Sequence, residues 1–62
     1  MEITLRIVKT NQLFILQEKH FFVGWLPIYS SSTEKEINVF IDNFLYFYRN
    51  NIDSTCTIRV ER

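Results

Sequence analysis

A chain of 62 residues is one domain near the lower limit at which a single core suffices, since a domain of this size buries only about 60% of the surface its unfolded chain exposes. A hydrophobic fraction of 47% and an aromatic fraction of 16% exclude a disordered tail. Seven Lys and Arg balance seven Asp and Glu, so no overall field recruits phosphate backbones or anionic lipid, and the single cysteine excludes an internal disulfide and suits a reducing, cytoplasmic setting.

The opening stretch MEITLRIVKTNQLFILQEK has no basic leader and only the short apolar run LFIL before charge returns, which is not the pattern of a signal peptide. It is also far short of the roughly 20 apolar residues of a membrane helix. Residues 2 to 8, EITLRIV, alternate strictly, with Ile3, Leu5 and Ile7 on one side and Glu2, Thr4, Arg6 and Val8 on the other, as in a half-buried strand. KTNQ offers Asn11 for a turn with left-handed backbone, and LFILQ then pairs back as a hairpin with Phe14 and Leu16 opposing Leu13 and Ile15. After the polar break EKH, residues 18 to 20, FFVGWL reads as a third strand. Gly24, the only glycine, points to a bulge or a close approach of another backbone there, and Pro27, the only proline, is expected on an edge strand or at its end, which makes this strand an edge.

From Ile37 onward, Ile37, Phe40, Ile41, Phe44, Leu45 and Tyr48 recur at spacings of three and four, one face of a helix expected over about residues 34 to 49. Thr33 with Glu36, or Ser31 with Glu34, forms the S/T-x-x-E capping box, and Glu34, Glu36 and Arg49 suit the helix dipole. Asn50 and Asn51 supply a left-handed C-terminal cap. TCTIRVE closes the chain as a fourth strand, with Cys56, Ile58 and Val60 inward and Thr55, Thr57 and Arg59 outward. The expected fold is therefore a single α+β domain over residues 1–62, ordered β-β-β-α-β, with one helix packed on one face of a four-stranded, mostly antiparallel sheet.

Chemistry is sparse. One His and one Cys give no zinc spacing and no required pair, and Cys56 sits inward with no basic cluster beside it in sequence. Glu34 and Glu36 already have a place at the helix start, and one glycine makes no phosphate loop. The sequence thus points away from an enzyme, with no catalytic residue, no cofactor, no metal and no small-molecule substrate expected.

Apolar side chains fall on both faces of the strands, while one helix covers only one. If Phe21, Val23 and Trp25 face the helix, Phe22, Leu26 and Ile28 face away, and leaving three or four such side chains wet forgoes several kcal/mol at about 25 cal/mol per Å². Phe22, Leu26 and Ile28 are therefore the first candidates for a partner contact, and Val39 and Tyr46, on the otherwise polar helix face, the second. The leading expectation is a protein–protein interaction module that forms a homodimer first, through that sheet face or by strand addition along the third strand. Two alternatives stand beside it. One is single-stranded nucleic-acid binding through Arg6, Arg59 and an aromatic on a neighbouring strand, the other a passive structural subunit of a larger assembly. A cross-strand pair of Arg59 with Glu2 is the plain reading of those arginines.

The plan carried by FFVGW and STEKEINVFI resembles that of many small proteins of phages and mobile elements. The absence of alanine and the 26 residues drawn from Phe, Tyr, Met, Ile, Asn and Lys, whose codons are AT-rich, agree with such a source. The resemblance is one of type and transfers no functional residue; a small phage or mobile-element protein that binds and inhibits a host protein, in the host cytoplasm if phage-encoded, fits it.

Overall fold

The computed structural model describes residues 1–62 and has the expected order: β1 (Glu2–Lys9), β2 (Phe14–His20), β3 (Gly24–Ser31), α1 (Glu34–Asn51) and β4 (Thr57–Glu61). The sheet is ordered β3-β2-β1-β4. β1 and β2 pair antiparallel, as do β2 and β3, while β4 returns beside β1 in parallel, so the sheet is mixed. Pairing β4 parallel to β1 requires a crossover of a dozen or more residues, which α1 supplies.

The strand alternation is obeyed where it is cleanest. Ile3 and Leu5 of β1, Leu16 of β2 and Cys56 just before β4 are buried beneath Ile37 and Ile41 of the helix. Ile7, Phe14, Ile58, Val60 and the helical Phe40, Phe44, Leu45 and Tyr48 close around them. Only 7 of the 62 residues are buried, so each of these side chains carries a large share of the stability. On the β3 side the helix adds an aromatic row, in which Tyr29 stacks on Phe40 at 4.4 Å and Phe44 and Tyr48 continue along the helix.

Thr33 is the N-cap and accepts from the Glu36 amide at 3.3 Å. Ser31 does not cap through Glu34; its hydroxyl donates to the Glu36 carboxylate at 2.7 Å, which fixes the end of β3 against the first helical turn. Asn50 and Asn51 do not form a left-handed cap. Both lie within the helix, and their side-chain amides donate to the carbonyls of Tyr46 and Phe47 instead. The helix ends at Ile52, whose amide donates to the Tyr48 carbonyl with φ −125°. Asn11 likewise avoids the left-handed region, because the β1–β2 turn is closed by Thr10, whose amide and hydroxyl both donate to the Leu13 carbonyl.

The main departure lies at β3. Phe21, Phe22 and Val23 form the turn between β2 and β3, and the strand starts only at Gly24, whose φ of +88° turns the chain into it. The bulge falls not at Gly24 but four residues later. Leu16 opposes Tyr29 and Gln17 opposes Pro27, leaving Ile28 as the extra residue. β3 lies at the sheet edge, as Pro27 implies.

The chain start and the turn before β4 meet at Asp53, which accepts from the Thr55 hydroxyl at 2.7 Å, the Thr55 amide at 2.9 Å and the Met1 amino group at 3.0 Å. These hydrogen bonds, the Thr55 hydroxyl first, lower its pKa from 3.8 to about 2. A carboxylate with a depressed folded-state pKa adds stability that is present above pH 3.8 and lost as the pH falls toward about 2. Asp53→Asn should accordingly lower the midpoint of urea unfolding at neutral pH and flatten its decline across that acidic window, as followed by far-UV circular dichroism. Leu16→Ala, at a fully buried position, should cost about 2 to 5 kcal/mol in the same assay.

Candidate interaction surfaces

Three surfaces remain outside the core. The first is the tip of the β2–β3 hairpin. Phe21, Phe22 and Val23 are 94%, 93% and 68% exposed, and the two phenyl rings meet edge to face at 4.8 Å. An exposed apolar side chain is ordinary by itself; three in a row on one turn are not.

The second is the sheet face away from the helix. Arg6 of β1 opposes Gln17 of β2, and Lys19 opposes Trp25 of β3. The Arg6 Nε donates to Gln17 Oε1 at 2.6 Å, while its guanidinium lies 4.3 Å above the Trp25 ring. Lys19 approaches the same ring at 6.0 Å. Arg59 stands on this face opposite Thr4, and its nearest carboxylate is Glu61 at 3.9 Å. The pair of Arg59 with Glu2 does not form, because the parallel register sets Glu2 against Thr57.

The third is the outer helix, where Val39 is 51% and Tyr46 71% exposed, as their spacing implies. Phe47, absent from the sequence-derived helix face, is also exposed and packs edge to face on Tyr48. Beside Val39, a shallow groove of about 540 Å³ lies between the helix start and β3, floored by Tyr29 and Phe40.

The expected patch of Phe22, Leu26 and Ile28 on one sheet face does not exist. Phe22 sits at the hairpin tip, off the sheet. Leu26 opposes Glu18, which puts it on the helix side of the sheet, and the bulged Ile28 packs against the core cluster. Trp25, expected toward the helix, faces away from it. The cause is the turn that takes up Phe21 to Val23 together with the bulge at Ile28, each of which resets which side chains share a face. Phe21 and Val23 join Phe22 at the tip. The signal for them was in the sequence: a polar EKH, then three residues, then the only glycine, which is the composition of a turn ending in a positive-φ residue.

Catalytic groups do not gather. Cys56 is fully buried within the core cluster, and its thiol donates to the Thr57 carbonyl at 3.8 Å. His20 is exposed at the end of β2, 3.6 Å from Glu18. No helix is long and apolar enough to cross a membrane. Comparison with family models, with curated proteins and with solved structures gives no match to this chain.

If the tip serves contact rather than folding, Phe21→Ser with Phe22→Ser should leave the unfolding free energy within about 0.5 kcal/mol of wild type, as is usual for surface substitutions. Chemical denaturation checks it, and a larger loss would assign the tip to the fold.

Proposed function

We propose that this chain is a non-enzymatic protein-binding module that contacts a second copy of itself first, through the apolar tip of the β2–β3 hairpin. The observation that carries this reading is the consecutive exposure of Phe21, Phe22 and Val23. With equal numbers of positive and negative side chains, two copies meet without net repulsion.

Strand addition along β3 is the weaker route. Pro27 lacks a ladder donor and the bulge at Ile28 breaks the spacing of the edge, both devices that blunt an edge strand. The opposite edge, β4, is five residues long and carries Arg59 and Glu61. A protruding apolar turn needs no such ladder. It packs tip to tip around a two-fold axis, or seats in a preformed pocket of a larger protein, which is how the same chain would block a host enzyme.

Magnitudes set the strength. Burying two Phe and one Val in full gains about 4.5 to 9 kcal/mol per tip, of which two convex tips meeting each other realise only a part. Loss of translational and rotational freedom costs about 4 to 15 kcal/mol. Tip contact alone is therefore weak, and a tight dimer draws further area from Leu26 or from the helix stripe of Val39 and Tyr46. Multi-angle light scattering over a concentration series should show a mass that rises from monomer toward dimer for wild type and stays monomeric for Phe21→Ser with Phe22→Ser. A wild-type chain that remains monomeric at the highest concentration, or a variant that associates equally, overturns the assignment.

A further inference from the structure

We propose that the sheet face away from the helix is a second binding surface, independent of the hairpin tip, and that it takes single-stranded nucleic acid. Its centre is Arg6. That guanidinium is half-buried and held twice, by Gln17 through Nε and by the Trp25 ring beneath its plane, yet it forms no ion pair with any carboxylate of the chain. Its terminal amino groups remain for an oxyanion from outside, and phosphate is matched to such a fork. A side chain fixed in this way loses little freedom on binding.

The flanking residues extend the site across the sheet. Lys19 lies on one side, at 6.0 Å from the same ring, and Arg59 on the other, beside Thr4. At about 4.8 Å per strand spacing, Trp25 on β3 and Arg59 on β4 stand about 14 Å apart, so the row suits an extended polyanion better than one small anion. A chain with bases fits it better than an acidic peptide, because the guanidinium face turned away from Trp25 offers a stacking surface that a carboxylate chain would not use. The overall charge balance does not speak against this. Glu34, Glu36, Asp42 and Asp53 belong to the helix or the turn after it and Glu18 to the helix side of the sheet, which leaves Arg6, Lys19 and Arg59 on the face against Glu2 and Glu61, the latter in register with Arg6.

Trp25 is the only tryptophan, so tryptophan emission, excited where the three tyrosines do not absorb, reports on this site alone. A short oligothymidine carrying a fluorophore is titrated with protein at low salt. Expected are a rise in anisotropy, quenching of Trp25 emission, and affinity that falls with a log–log salt slope of about −1.4 to −2, for two to three phosphates neutralised. Arg6→Gln with Arg59→Gln, which leaves Lys19, should weaken binding and cut that slope to about −0.7 or less in magnitude. Trp25→Ala, which removes the ring that holds the Arg6 guanidinium, should weaken binding at least about 5-fold, the low end of a lost aromatic platform. Far-UV circular dichroism accompanies each variant, and Arg59→Gln alone, at an exposed edge position, tests the site with no change in the core. Phe21→Ser with Phe22→Ser should bind like wild type, which separates this surface from the tip. No anisotropy change, binding indifferent to both arginines, or polyglutamate that quenches Trp25 equally well would each overturn the proposal.

Discussion

Everything in this fold follows from one helix having to cover four strands. An 18-residue helix is about 27 Å long, which matches an eight-residue strand of about 26 Å. Its diameter of about 10 Å spans only about two strand spacings. The helix therefore seals the middle of one sheet face, where Leu5, Leu16 and Ile37 meet with no solvent contact, and leaves the margins and the whole of the other face to water. The aromatic row of Tyr29, Phe40, Phe44 and Tyr48 is the response on the β3 margin, where large flat side chains widen the covered strip. On the β4 margin the response is polar. Arg62 bridges Glu34 and Asn38, and Arg49 donates to the Cys56 carbonyl at 2.8 Å.

The same limit explains what could be read from the residues and what could not. β1, α1 and β4 each place most of their apolar side chains on one side, so their periodicity and their buried side follow directly from the sequence. β3 has no such contrast. GWLPIYSS carries apolar residues on both sides, and a strand without contrast does not fix its own phase. Its phase is set by partners instead: by Leu16 and Gln17 across the pair, by Tyr29 finding Phe40, and by Ser31 finding Glu36. These are tertiary contacts, invisible to periodicity. The bulge at Ile28 is the residue by which the hairpin register and the helix contacts are made compatible.

The candidate surfaces divide along the same line. Arg6, Arg59, Val39 and Tyr46 sit in elements with clear phase and lie where their positions imply. Phe22, Leu26 and Ile28 sit in the segment without clear phase and are scattered to the tip, the helix side and the core margin. What took their place on the open face is Trp25, and its arrival changes that face in kind. A surplus apolar sheet would call for another sheet against it. A tryptophan roofed by arginine and approached by lysine already has its apolar area partly covered, because a guanidinium can lie flat on a ring while keeping its amino groups wet.

The two most exposed apolar side chains of the chain, Phe21 and Phe22, stand where the sheet ends. A hairpin tip is a place where folding tolerates almost any residue, since its side chains contact little and its backbone is satisfied by turn and solvent. Two phenylalanines and a valine there contribute almost nothing to the core of a domain that buries 7 residues, and they expose a chain with balanced charge to association. Folding alone would favour Asn, Asp or Gly at those positions. Apolar residues at the tip therefore have no reason in the folding of the isolated chain, and this is what the proposed contact with a second copy rests on.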